Sequence, residues 1–131
     1  MMKLGLLTAP FPDTPLLAVA DWAQSAGFDA LEIACWPRAS GPTRRYAGTS
    51  HIDVASLSAA QGNDLVAALA EHDLAISALG YYPNPLDGDA GHRAAVAEHL
   101  KKVIAAAPKL GLSVVNTFIG RDFAKSVDDN W

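Results

Sequence analysis

Three times the chain passes from helix to strand within two or three residues, around Gly27, Asp73 and Gly111, while its strand-to-helix links are longer and hold the unusual residues. Strands and helices alternating on this uneven pattern fold as a parallel sheet with right-handed crossovers, because parallel neighbours are joined only by a crossover across one face. One end of such a sheet is structural and the other is working surface. Lys3 to Thr8 reads as the first strand, and Thr14 as N-cap with Pro15 at the first helical position opens a helix with Leu16, Ala20, Ala23 and Gly27 on its inner stripe. Gly27 ends that helix as a left-handed cap. Ser58 with Gln61 forms a capping box for a second helix with Leu65, Ala68, Leu69 and His72 inside, and Gly62 weakens its first turns. Leu74 to Gly80 is the third strand. Asp89 caps a third helix that runs from about Ala90 toward Pro108, with Val96, Leu100, Val103, Ala107 and Leu110 facing inward. Ser113 to Ile119 is the fourth strand, and a fourth helix is about to start at Ser126 where the sequence stops.

The second strand, within Gly27 to Pro37, carries an anomaly. The two-residue period of a strand puts Leu31, Ile33 and Cys35 on one face and Ala30, Glu32 and Ala34 on the other. A strand apolar on both faces is covered on both sides, and a carboxylate is not buried there without partners. Glu32 therefore points into a polar cavity or at a buried cation.

At 131 residues, half of them apolar, the chain has the bulk of one globular domain. Its net charge of -4 and scattered Lys and Arg leave no basic stripe, so no nucleic-acid partner is expected. The opening apolar run stops at Pro10, too short for a signal peptide, and no stretch is long enough to span a membrane. The one cysteine, Cys35, cannot form an internal disulfide, which fits a reducing cytoplasm.

Two architectures remain, a doubly wound open sheet and a β/α barrel. A nucleotide-binding open sheet wants a Gly-rich turn after its first strand, and Thr8-Ala9-Pro10-Phe11-Pro12 has no glycine. The barrel reading puts Glu32 in the lumen and the long loops at the rim where such folds act. A whole barrel needs eight units and about 250 residues. The expected fold is thus α/β, the N-terminal half of a (β/α)8 barrel, with four parallel strands and three helices over residues 1–131 as one partial domain.

Four segments carry a resemblance: Gly27 to Ile33, Arg44 to Val54, Ala78 to Asp87 and Val115 to Asp122. Together they resemble the sugar phosphate isomerase/epimerase group of the xylose isomerase-like TIM barrels, over nearly the whole chain. The resemblance implies a metal-assisted isomerase or epimerase acting on a sugar or sugar phosphate. A divalent metal (Mn, Mg, Co or Zn) would belong to the full-length protein, its ligands coming mainly from later strands, so none is expected in this fragment and the catalytic residues are unknown. Endonuclease IV-type repair enzymes share the superfamily. Their zinc histidines follow the third and fourth strands, where this chain has Tyr81-Tyr82 and Asn116 to Gly120.

The substrate-side candidates are Glu32, Trp36, His51, Tyr81, Tyr82, Asn84, Asn116 and Arg121. Each has a plainer alternative. Glu32 touches substrate or neutralises a buried cation; Tyr81 and Tyr82 form a sugar-stacking wall or pack a loop. Asn116 and Thr117 bind hydroxyls or each other, and Arg121 holds a phosphate or pairs with Asp122 on the surface. Trp36 and Phe11 read as rim packing. His51, with Asp53, is the one histidine able to reach the rim; His92 and His99 read as solvated, and His72 as a helix C-terminal charge. Asp87 to Glu98 imitates a calcium loop but lacks its required glycine. The runner-up function is a non-catalytic half-barrel that binds a polyol or associates with itself. A homo-oligomer is expected either way, because half a barrel leaves two open sheet edges.

Overall fold

The computed structural model describes residues 2–38 and 48–131. Of the segments quoted above, Arg44, Arg45, Tyr46 and Ala47 lie outside them. Four strands, β1 (Gly5–Leu7), β2 (Ala30–Ala34), β3 (Ala75–Gly80) and β4 (Val115–Asn116), form one sheet in the order of the chain, every pair parallel. The helices are α1 (Leu16–Ser25), α2 (Ala59–Ala70), α3 (Ala90–Ala106) and α4 (Val127–Asn130), with a 3-10 turn at Ala107–Leu110 after α3. Strict sequential order separates the two architectures: a doubly wound sheet reverses at a switch point, whereas a barrel adds each strand beside the last.

The three short junctions share one geometry. The N–H of Phe28, Leu74 and Leu112 returns to the carbonyl five residues back, on Ala23, Leu69 and Ala107, at 3.0, 3.1 and 3.0 Å. The residue before each is left-handed: Gly27 at φ 83°, Asp73 at φ 56° and Gly111 at φ 68°. This is the Schellman closure, and Asp73 fills it without glycine because a short polar side chain tolerates that region. It turns each helix directly into the next strand.

The core lies between the sheet and its helices. Leu31, Ile33 and Cys35 are fully buried there with Ala20, Ala23, Leu69, Leu79 and Val103, as the two-residue period requires. Ser58 makes its capping box with Gln61, and Asp89 caps α3 through the N–H of His92 at 2.6 Å. Pro108 falls in the 3-10 turn just beyond the end of α3.

Four expectations need correction. The N-cap of α1 is Pro15, extended at φ -57° and ψ 145°, with no side-chain cap; the Thr14 carbonyl is engaged by His51 instead. β1 and β4 are shorter than Lys3 to Thr8 and Ser113 to Ile119, since each pairs on one side only. Gly62 is more than a weak helix residue: it is buried where α2 crosses the 3-10 turn, and a Cβ there would collide with the Lys109 carbonyl oxygen. His99 is not solvated. Its Nε2–H donates to the Cys35 carbonyl at 2.7 Å and its ring lies 4.6 Å from that of Tyr81.

Candidate functional site

The site is built at the C-terminal ends of the strands around Glu32. Between β2 and β3 the register slips after Leu31, so that Leu31 faces Ile76 while Glu32 faces Ala78. A bulge of this kind bends the strand and re-aims the side chains beside it. From there the Glu32 carboxylate crosses Gly80. A Cβ on Gly80 would lie 2.5 Å from Glu32 Oε1, 3.0 Å from Tyr82 Cε2 and 3.3 Å from Leu7 Cδ1, so glycine at the end of β3 gives the acid its seat. Two donors then hold it. Tyr82 Oη–H donates to Oε1, and Asn116 Nδ2–H donates to Oε2 at 2.8 Å. The cluster is half-buried.

Tyr81 and Tyr82 continue the alternation of β3 and part company. Tyr81 turns into the core, against His99 and edge-on to Trp36 with centroids 5.7 Å apart. Tyr82 turns to Glu32, its ring 5.9 Å from that of Trp36 and 4.9 Å from that of Phe118. Burial first, then the hydrogen bond to Glu32 and its charge, push the Tyr82 phenol up to about 12. It stays protonated and donating at neutral pH. Burial and then the Glu32 charge likewise push the Cys35 thiol up to about 12, so Cys35 is a packed small side chain and a poor nucleophile.

His51 is a clasp. The stretch from Thr49 to His51 returns antiparallel along the end of β2, through Trp36 N to Thr49 O at 3.0 Å and His51 N to Ala34 O at 3.1 Å. Its Nε2–H donates to the Thr14 carbonyl at 3.0 Å, and Nδ1 lies 2.8 Å from Thr8 Oγ1, which also accepts from Ala34 N. Since the carbonyl can only accept, the hydrogen-bond network assigns the proton to Nε2. Both ring nitrogens are thus engaged within the protein.

Asn84 and Arg121 meet each other away from the carboxylate. Asn84 Nδ2–H donates to the Arg121 carbonyl at 2.6 Å, and Arg121 N–H donates to Asn84 Oδ1 at 3.0 Å, which stitches the β3 loop to the β4 loop. The Arg121 guanidinium lies over the Phe123 ring at 4.7 Å, while Asp122 faces Lys125 at 3.8 Å instead of Arg121. Of the eight candidates, the structure gathers Glu32, Trp36, Tyr82 and Asn116. Tyr81, His51, Asn84 and Arg121 brace the surrounding loops. Gly80 and Phe118 join the cluster unforeseen, although Phe118, two residues beyond Asn116, carried the strand-period signal for the same face.

Two clefts elsewhere, about 290 Å³ beside Leu74, Ile76 and Leu110 and about 140 Å³ beside Leu86, Ile119 and Trp131, do not include Glu32. The described residues do not fit a metal centre by themselves. Among the described residues no three His, Cys, Asp or Glu converge, and each Glu32 oxygen already accepts from a neighbour. No helix among the described residues is long and apolar enough to cross a membrane.

A sequential parallel sheet with its polar cluster at the C-terminal strand ends defines part of a β/α barrel. Residues 20–131 match the family of xylose isomerase-like TIM barrels, and the chain belongs to that family. Among solved structures, D-psicose 3-epimerase in the presence of D-fructose is 17% identical with a TM-score of 0.59, over 97% of this chain and 42% of that one. AsbF of Bacillus anthracis, assigned as a 3-DHS dehydratase of petrobactin synthesis, is 16% identical with a TM-score of 0.58, over 89% and 38%. A protein of Rhodospirillum rubrum provisionally assigned as a xylose isomerase is 14% identical with a TM-score of 0.61, over 98% and 42%. No curated protein matches. These likenesses show the fold, and the chain spans about two fifths of the length of those structures.

Proposed function

We propose that these four strands supply the substrate-side wall of a metal-dependent sugar or sugar phosphate isomerase or epimerase. The observation that carries the reading is the Glu32 carboxylate, held by Tyr82 and Asn116, with the rings of Trp36 and Phe118 packed against Tyr82, at the strand ends of a xylose isomerase-like barrel. Aromatic faces beside a carboxylate suit a polyol, whose C–H faces stack while its hydroxyls donate. D-fructose accompanies one structural neighbour, which supports the same class.

In this reading Glu32 orients a substrate hydroxyl, and the aromatic rings exclude water from one side of it. On this reading further strands would supply the divalent metal's ligands and the base that moves the proton beside the carbonyl; among the described residues no three His, Cys, Asp or Glu stand together to hold an ion. The 131-residue chain should bind D-fructose weakly, shift the Trp36 indole resonance on doing so, and convert no ketose when manganese, cobalt or magnesium is added. Calorimetry should give no stoichiometric tight metal site. Saturating fructose without any change at Trp36 would overturn the substrate wall, and ketose conversion abolished by a chelator would overturn the division of labour.

The open edges favour a second reading alongside the first. β1 and β4 each leave one side unpaired, with Leu4, Val114, Phe118 and Ile119 exposed. Such edges associate. Two copies facing each other would restore eight strands, so sedimentation should show the chain as a dimer or larger species. A compact monomer at high concentration would end this reading.

A further inference from the structure

Resting on the substrate-wall reading, we propose that the Glu32 cluster takes the uncharged, hydroxyl-bearing part of its ligand and turns away a phosphate or carboxylate. The charge in this cluster is a carboxylate with lone pairs to spare, and its two partners, Tyr82 and Asn116, are neutral. A carboxylate has about four lone-pair sites, of which Tyr82 and Asn116 take one each. The Tyr82 proton is committed to Glu32 and its oxygen faces the Asn116 amide, so the donors this cluster offers a ligand are neutral N–H groups and none is a cation.

The cationic and histidine side chains of neighbouring elements are turned to other partners, the Arg121 guanidinium to the Phe123 ring. His51 Nε2–H bonds the Thr14 carbonyl and His99 Nε2–H bonds the Cys35 carbonyl. Arg93 Nη1 bonds the carbonyls of Asp87 and Gly88, at 2.6 and 3.0 Å. Among the described residues, no Lys, Arg or His bonds or pairs with Glu32, Tyr82 or Asn116. A sugar hydroxyl brings its own proton to such a surface. A phosphate brings charge of the same sign as Glu32 and more acceptors, which these groups cannot satisfy.

Binding of D-fructose, fructose 1-phosphate and fructose 6-phosphate to the 131-residue chain, followed at the Trp36 indole in low salt, tests the proposal. D-fructose should bind at least about tenfold more tightly than either phosphate, since like charges a few ångströms apart repel strongly where water is partly excluded. The gap should narrow as salt is raised and close in Glu32→Gln, while Tyr82→Phe, which keeps the charge, should preserve it. Should Glu32→Gln fail to fold, the salt series and Tyr82→Phe carry the test. Phosphates binding as tightly as fructose would overturn the proposal and leave the substrate wall standing. A gap indifferent to both salt and Glu32 would overturn it too, because exclusion would then be steric. Absence of fructose binding would overturn the wall and this inference with it.

Discussion

Gly62→Ala should lower the stability of the chain by about 2 kcal/mol, although helix propensity alone favours alanine over glycine by about 1 kcal/mol. The new Cβ would fall inside van der Waals contact of the Lys109 carbonyl oxygen and 2.9 Å from its carbonyl carbon. Backbone cannot rotate aside as a side chain can. The obstacle is also fixed from its own side, because Leu110 is buried and Lys109 Nζ donates to the Leu57 carbonyl at 2.7 Å. α2 must therefore lift from the 3-10 turn or strain at the contact, and overpacking of this kind costs about 1–3 kcal/mol. Thermal unfolding should move down by roughly 5–10 °C. An unchanged or raised midpoint would show that the two backbones do not touch in solution.

That contact marks the boundary of what the sequence discloses. Local signals were legible where one residue type answers one local need: Gly27 and Gly111 at left-handed caps, Ser58 with Gln61, and Asp89 at an N-terminus. The alternation in β2 correctly set Glu32 apart from Leu31, Ile33 and Cys35. Propensity alone makes Gly62 a weak helix residue, because its reason lies 47 residues away, in Lys109. His99 looked solvated for the same cause: its partners, Cys35 and Tyr81, come from two other strand ends. Strand period also divided Tyr81 from Tyr82, although as neighbours of one type they looked alike in sequence. Propensity describes a residue with its neighbours in the chain, and a site is made by neighbours in space.

The second large effect is expected at Gly80. Its substitution by alanine would set a Cβ 2.5 Å from Glu32 Oε1 and 3.0 Å from Tyr82 Cε2, so the carboxylate must leave its seat and the pair with Tyr82 must break. Gly80→Ala should abolish the effect of fructose on Trp36 and lower stability by about 1–3 kcal/mol. Glu32→Gln is the milder comparison. The amide fills the same seat, Tyr82 can still donate to it, and Asn116 can turn its own amide to accept from the new one, so stability should change by less than about 1.5 kcal/mol. The shared signature is the tyrosine titration. In the parent chain Tyr82 ionises near 12, through burial first and then the hydrogen bond and charge of Glu32. Gly80→Ala removes both Glu32 contributions and Glu32→Gln removes the charge while keeping the hydrogen bond, so one tyrosine should titrate at lower pH in each, further down in Gly80→Ala, while burial holds it above an exposed phenol. The linkage has a definite sign. Between the unfolded phenol's ordinary value of 10 and about 12, the unfolded chain holds fewer protons than the folded one, so stability falls as pH rises across that window. Below it the group contributes no pH dependence. The variants should narrow the window from its upper side, and ultraviolet difference titration together with unfolding at pH 9 and 11.5 reads both quantities. If Gly80→Ala leaves the high tyrosine where it was, then Glu32 does not hold Tyr82 in solution, and the acceptor-rich wall has lost its central bond.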